Sequence, residues 1–385
     1  MKKKCILVLN FARWNPILRG AQQYCTKLSS LYRILYIHSP DQKANYQDVR
    51  YFSVKLHKVS DDIYEVFWPC WCREVFRFAI VEKLLERIRV FIIQFILRKL
   101  NWQEIDFLYV LQPAMYKYIK YFPQYKKICH IFDQYSLYGG NTNQKIIELE
   151  NEFLPKFDIV FCVSRLLYED KKALNKGTSY LPNGVNFELF RKATGNNCSI
   201  PKDVQEIKRP VIGYIGYVSG KINIDLIQFL AQKKSKWSFL FIGPKKLSGN
   251  DAYKFNQLCL LDNFYYLGYR APDSLPNYMK AIDVGIMPYR MRGHVLWVDS
   301  PLKIYEYLAA GLPSVASKFR SIPQHLRGAE IYFASNENEW LGLIECCLRE
   351  GKDPEKIRTR QKIASENTWD SRFYEFMKAV KGLEK

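Results

Sequence analysis

The sequence predicts an α/β protein with two parallel-sheet domains, on three observations. Short apolar, β-branched or aromatic runs alternate with amphipathic stretches almost throughout. The alternation breaks off once, in a polar stretch, and then restarts. The length, 385 residues, is too great for one ordinary core and suits two. Continuous apolar strands separated by helices indicate parallel sheets covered on both faces.

The elements follow in order. CILVLNF, RILYIH, IDFLYVL, KICHIF and DIVFCVS read as strands in the first half, with amphipathic stretches at 19–32, 72–99, 143–153 and 165–174 between them. SDDIYE, 60–65, reads as a loop. RKATGNNCSIPKDVQEIKR, 191–209, has no apolar period and contains Gly195 and Pro201, so it reads as a linker. RPVIGYIGYV, WSFLFIGP, NFYYLGY, AIDVGIMPY, LPSVAS and EIYFA then restart the strand pattern. The expected division is a domain over 1–190, the linker 191–209, a second domain over 210–366 and a closing segment, 367–385. The last contains an amphipathic helix anchored by Trp369 and Phe373. Two such sheets define a cleft, and ligands bind at the carboxyl ends of their strands.

Composition narrows the partners. The net charge of +20 attracts polyanions: nucleic acid, acidic lipid headgroups or phosphorylated ligands. Residues 1–100 hold 18 basic and 8 acidic residues, half of the excess, while residues 101–190 hold 10 of each. No helix-turn-helix, RNA-binding or zinc pattern is present, so nucleic acid is not the expected partner. The ten cysteines include no C-x-x-C pair, which argues against zinc or redox use and for free thiols in a reducing cytosol. MKKKCILVLNF reads as a first buried strand rather than a signal peptide, because Arg13, Trp14 and Asn15 interrupt it early. No run reaches the roughly 18 apolar residues of a spanning helix.

The chemistry concentrates at SPLKIYEYLAAGLPSVAS, 300–317. Ser300 is a good N-cap, Pro301 a good first helical residue, and Gly311 ends the helix before a strand. A helix N-terminus exposes unpaired N–H groups and the positive end of the dipole, which suits a phosphate. Lys303 gains nothing from the dipole there, but it makes sense beside a bound anion. Glu306 shares its face, and a carboxylate can accept from both hydroxyls of a ribose. Taken alone, the pair reads more readily as an ordinary salt bridge on an amphipathic helix.

Wider context reverses that preference. SPLKIYEYLAAGLPSVAS resembles the donor-site signature of the retaining nucleotide-sugar glycosyltransferases of family 4, the glycosyl transferases group 1. Three more stretches resemble family segments in order: YLPNGVNFELF (180–190), IGYIGYVSGKINIDLI (212–227) and YYLGYRAPDSLPNYMKAIDVGIMPY (265–289). The likeness covers the second domain and the end of the first, and is nearest to bacterial surface-polysaccharide enzymes of the teichuronic acid glucuronosyltransferase type. It implies the GT-B fold, two Rossmann-like domains with parallel sheets facing across a cleft. It also implies transfer of a sugar from a UDP- or GDP-sugar to a glycan or lipid-linked acceptor. No D-x-D flanked by an apolar strand is present, so neither a metal nor a cofactor is expected. Glu306 matches the second glutamate of the family's E-x7-E motif, the ribose contact. Lys303 and Lys221 fall where the family places phosphate-binding lysines, and Gly213 and Gly216 would admit the diphosphate to the backbone.

Two positions depart from the pattern. The first glutamate of the motif falls at Val298, with Asp299 adjacent as a substitute, and the usual arginine after the first glycine-rich strand is Tyr217. Arg290 or Arg292 would supply the missing cation, or else line a solvated loop. In the first domain, Arg19 and Gly20 resemble the family's acceptor loop. ICHIFDQYS, 128–136, resembles the subgroup's D-x-x-D element, with His130 and Asp133 as candidates to orient the acceptor or stabilise an oxocarbenium-like sugar. His130 reads equally as a core histidine, and His294 is a lesser candidate.

The segment 71–100 mixes seven Arg/Lys with an apolar, aromatic-rich face, and 115–127 adds four lysines and five aromatics. Both fit either a core helix with charges in water or an anionic membrane surface. The expected location is cytoplasmic, peripheral on the inner face of the cell membrane. Other readings are an epimerase-like enzyme on the same fold and a degenerate member that has lost donor binding.

Overall fold

The computed structural model describes residues 3–14, 20–40, 52–72, 79–102, 104–138, 141–299, 301–326, 331–351 and 353–383. The chain forms two compact units, Met1–Leu181 with Glu375–Lys385, and Pro182–Tyr374.

The first unit is built on an eight-stranded sheet. Its strands are β1 (Cys5–Asn10), β2 (Arg33–His38), β3 (Lys55–Ser60), β4 (Ile63–Phe67), β5 (Ile105–Val110), β6 (Lys126–Ile131), β7 (Ile159–Cys162) and β8 (Thr178–Tyr180). They lie in the order β3-β4-β2-β1-β5-β6-β7-β8. Every pairing is parallel except β3 with β4. The core strands are apolar from end to end because helices cover such sheets on both faces; β1 is buried at all six positions. Helices α1 (Gly20–Leu28), α2 (Ala79–Lys99), α3 (Gln144–Phe153) and α4 (Arg165–Lys171) lie between them in sequence. SDDIYE is a hairpin rather than a loop: Ser60 pairs with Ile63 across the two aspartates. Its strands escape an apolar-run reading because β3 sits at the sheet edge, largely exposed, with alternating polar residues.

The second unit carries a six-stranded, wholly parallel sheet. Its strands are β9 (Val211–Ile215), β11 (Ser238–Ile242), β13 (Phe264–Gly268), β14 (Val284–Met287), β15 (Ser314–Ser317) and β16 (Ile331–Ala334), in the order β13-β11-β9-β14-β15-β16. A short pair, β10 (Val218–Ser219) and β12 (Lys245–Lys246), stands beside it. The helices are α5 (Phe187–Phe190), α6 (Ile224–Lys233), α7 (Gly249–Leu258), α8 (Leu275–Ala281), α9 (Leu302–Ala309), α10 (Glu337–Glu350), α11 (Pro354–Glu366) and the start of α12 (Trp369–Gly382), which from Glu375 onward belongs to the first unit. By sequence rank this is the doubly wound order 3-2-1-4-5-6, whose winding reverses between β9 and β14. In the first unit the same reversal falls between β1 and β5.

The stretch 191–209 belongs to the second unit, so it is not a free linker. Lys280 donates to the carbonyls of Gly195 and Cys198, and Asn277 to that of Ser199. Polar side chains from α8, not an apolar period, hold it, which is why its sequence reads as unstructured. The chain enters this unit beside the segment by which it leaves. Val185 bridges Thr368, and a Cβ on Gly184 would lie 2.7 Å from the Thr368 carbonyl carbon, so only glycine fits. In α12, Trp369 is buried as expected, and in the part that belongs to the first unit the apolar anchor is Phe376 rather than Phe373. Phe376 packs on Tyr24, Tyr109 and Phe161.

Candidate functional site

The loops after β9 and β14 flank the point where the second sheet's winding reverses, the place where such sheets hold ligands. Helix α9 starts from the β14 side. Pro301 occupies the N-cap position and its carbonyl takes the first bond, from Ile304 N–H at 3.0 Å. The cap is therefore one residue later than the sequence suggests, and Ser300 lies outside the described residues. Gly311, in the left-handed region at φ 69°, closes the helix and turns the chain into β15.

Lys303 and Glu306 sit on one face of α9. Their side chains form an ion pair of 2.5 Å and are largely shielded, 20% and 15% exposed. Lys303 lies over the end of β9: a Cβ on Gly216 would stand 3.0 Å from its Cε and 2.8 Å from the Tyr214 hydroxyl. Gly216 is half-buried, with its N–H bonded to the Ile242 carbonyl at 2.8 Å. Gly243, at φ 138°, passes so close that a Cβ there would fall 2.0 Å from the Gly216 carbonyl oxygen. Glycines thus bring the ends of β9 and β11 together beneath Lys303. Gly213 works differently. It lies mid-strand and accommodates Ile282, whose Cδ1 would be 2.2 Å from a Cβ there, so its role is packing and not approach to a diphosphate.

Lys221 joins this group through Tyr289. Its ammonium stands 4.7 Å from the centre of the Tyr289 ring, and its carbonyl accepts from Arg290 N–H at 2.7 Å. Tyr289 neighbours the Tyr214 phenol, which donates to the Tyr217 carbonyl at 3.1 Å and which burial pushes well above its usual range, helped by Tyr289, Tyr307 and Glu306. Tyr307, fully buried on α9, accepts from Ile215 N–H at 3.1 Å and donates to the Ile286 carbonyl at 3.3 Å. One hydroxyl thereby fixes α9 against both strands at the reversal. Tyr214, Tyr289 and Tyr307 were not foreseen as site residues. For Tyr214, its position near the end of β9 between Gly213 and Gly216 was the available signal.

Other candidates separate from this cluster. Arg290 does not offer a spare cation: Asp251 takes its guanidinium at 2.7 and 2.8 Å, with Asp225 at 3.5 Å. Asp299 is buried, 1% exposed, while Val298 packs against the core of the unit. Tyr217 is exposed. An open depression of about 980 Å³ is lined by residues including Asn186, Lys192, Asn197, Asn277 and Gln361, and by none of the candidate donor residues.

In the first unit, Asp133 follows β6 and is half-buried. Its carboxylate accepts from Tyr138 O–H at 2.6 Å and from Gln134 N–H at 2.9 Å. His130 is fully buried, which corrects its reading as a reacting group. Its Nδ1 pairs with the Tyr109 hydroxyl at 2.7 Å and its ring stacks on Phe132. Burial lowers its pKa to about 3, so it is neutral. Gly20 begins α1 and is buried; Arg19 lies outside the described residues. Among the described residues no group of three or more His, Cys, Asp or Glu side chains is placed to hold a metal, and the ten cysteines are free.

Residues 209–349 match the family model described as glycosyl transferases group 1. The Bacillus subtilis (strain 168) protein named "Putative teichuronic acid biosynthesis glycosyltransferase TuaH" is 28% identical over 250 residues, 63% of this chain. The match spans 61% of that relative's length. Solved structures resemble the whole chain. They include a UDP-forming α,α-trehalose-phosphate synthase from Burkholderia xenovorans, with TM-score 0.71, 11% identity and 100% of both chains covered. HepE of Anabaena in complex with UDP gives TM-score 0.68 and 16% identity over 98% of this chain and 100% of its own. Sucrose-phosphate synthase from Thermosynechococcus elongatus gives 0.66 and 14% over 99% of each. At these identities the likeness establishes the fold. Residues 209–349 are thus similar to the glycosyl transferases group 1 family, and the chain carries the GT-B fold.

Proposed function

We propose that this chain is a glycosyltransferase that moves a sugar from a nucleoside diphosphate sugar to a glycan or lipid-linked acceptor in cell-surface polysaccharide synthesis. The observation that carries the reading is the grouping of Lys303, Glu306, Gly216 and Lys221 where the second sheet's winding reverses. The N-terminus of α9 with Lys303 and Lys221 receives the diphosphate, and Glu306 receives the ribose hydroxyls. On transfer, the bond from the sugar's anomeric carbon to the phosphate oxygen breaks and the nucleoside diphosphate leaves with the electron pair. The acceptor hydroxyl bonds to that carbon and gives up its proton to the leaving phosphate. Lysines beside the diphosphate stabilise the charge that develops on it. Asp133, in the first unit, is assigned to the acceptor, whose hydroxyl its carboxylate orients.

UDP is the nucleotide we favour, because the Anabaena structure carries it. Surface polysaccharide synthesis is supported by the name of the Bacillus subtilis relative. The retaining course rests on the family resemblance. The test is acceptor-dependent release of UDP from a panel of UDP-sugars given to the protein with lipid-linked saccharides. Release with one sugar, abolished in Glu306→Ala, supports the reading; turnover of the sugar without an acceptor would replace it with an epimerase-like activity. Val298, Tyr217 and the closed Lys303–Glu306 pair favour a second reading in which donor binding has been lost. That reading requires that no nucleoside diphosphate bind.

A further inference from the structure

Helix α2 is arranged opposite to an ordinary surface helix. Its two acidic side chains face inward. Glu82 pairs with Arg89 at 2.7 Å and Lys117 at 3.1 Å, and Glu86 pairs with Lys120 at 2.7 Å. Arg89 is fully buried and also donates to the Cys72 carbonyl. Val90, Ile93, Ile96 and Leu97 complete the inward face.

The outward face is apolar as well. Ile80, Leu84, Phe91 and Phe95 are 86%, 59%, 63% and 57% exposed. At about 100° per residue these four fall within a roughly 60° arc, forming a straight ridge of about 22 Å. The exposed charges of the helix are Lys83, Arg87, Arg98 and Lys99, all positive. Among the described residues, Lys83, Arg98 and Lys99 make no salt bridge. An exposed ridge of large apolar side chains marks an interaction surface. A ridge with cations near both ends and no exposed carboxylate specifies an anionic partner along its whole length.

We propose that α2 docks the protein flat on an anionic lipid surface. Ile80, Leu84, Phe91 and Phe95 enter the boundary between headgroups and acyl chains, and Lys83, Arg87, Arg98 and Lys99 contact acidic headgroups. Among the described residues no helix is long and apolar enough to cross a membrane, so the contact is peripheral. Self-association through this face would bring two positive surfaces of a +20 chain together, which charge repulsion opposes. The proposal does not depend on the donor site.

The test is sedimentation of the full chain with vesicles of phosphatidylcholine alone or mixed with phosphatidylglycerol. Binding is expected only to the mixed vesicles. Each lysine or arginine near an anionic surface is worth roughly fivefold in partition, so Lys83→Gln/Arg98→Gln/Lys99→Gln lowers it on the order of a hundredfold. A control, Lys202→Gln/Lys208→Gln/Lys236→Gln, removes the same charge from exposed positions of the second unit and leaves binding nearly intact. Phe91→Ser/Phe95→Ser lowers partition on the order of tenfold or more, and Phe95→Trp adds, relative to wild type, an emission that shifts to the blue on the mixed vesicles. Equal loss in the two charge variants, or no vesicle binding by wild type, overturns the proposal. So does a wild-type dimer that Phe91→Ser/Phe95→Ser dissociates while vesicles remain unbound; the ridge would then be a protein interface.

Discussion

The Lys303 ammonium is paired with the Glu306 carboxylate at 2.5 Å, on a helix whose first turn rests over Gly216. The net worth of a largely shielded pair of this kind is modest, because the desolvation of both groups offsets much of their attraction. The pair is therefore weak enough for a diphosphate to draw the lysine away and free the carboxylate for a ribose. Lys303→Met should lower affinity for a nucleoside diphosphate more than for the parent nucleoside, while thermal stability changes little. Isothermal titration with both ligands measures this; an equal loss for the two would detach Lys303 from the phosphates.

Glycine at 213 and at 216 should fail for different reasons. Gly213→Ala forces a methyl into Ile282 in the sheet core, and overpacking of this sort costs about 1–3 kcal/mol. Adding Ile282→Ala should recover part of that loss, a non-additivity visible in denaturant melts. Gly216→Ala meets the flexible end of Lys303 and the Tyr214 hydroxyl. Stability should fall less than in Gly213→Ala, and donor affinity should fall instead. If both single variants lost only stability, the approach at Gly216 would have no role in binding.

The buried histidines set an acid limit on stability. His130 is held at about 3 and His38 at about 4, both by burial, against an unfolded value near 6.5. Their folded pKa values are depressed, so the unfolded chain binds more protons as pH falls below about 6.5. The neutral state's full stability is present above that pH and is lost progressively down to pH 3 for His130. Each histidine contributes about 1.4 kcal/mol per pH unit within its window. His130→Gln should melt with a shallower pH dependence between pH 6 and 4, by about one proton. An unchanged slope would mean that His130 exchanges protons freely with solvent.

Asp133→Asn should leave nucleotide affinity intact and lower kcat by about 100-fold or more, the usual scale for a positioned acid–base group. Tyr138→Phe removes the hydroxyl bonded to that carboxylate and should lower kcat by a smaller factor. Steady-state kinetics beside binding titrations separate the two effects. A fall in nucleotide affinity without a fall in kcat would assign Asp133 to structure.

Eleven of the strands were legible because fully buried parallel strands are apolar throughout, as in CILVLN and SFLFI. The edge hairpin at β3 and β4 was not, because edge strands carry polar residues that read as loop. The helix presenting Lys303 and Glu306 was legible from Pro301 and Gly311. Tyr307, which fixes that helix through the Ile215 N–H, was not, since an aromatic in a helix reads as core until the fold supplies its partner. Arg290 looked available because sequence does not reveal that Asp225 and Asp251 converge on it. His130 allowed two readings, and only its burial decides between them.

Whether the residues around α9 form a nucleoside diphosphate site is decided by calorimetric titration of wild type and Glu306→Ala with UDP, GDP and CDP. One of the three should bind wild type, and Glu306→Ala should weaken that binding about 10- to 100-fold, the cost of losing hydrogen bonds to a charged group. Equal affinity in the two proteins, or no binding of any of the three to wild type, would contradict such a site.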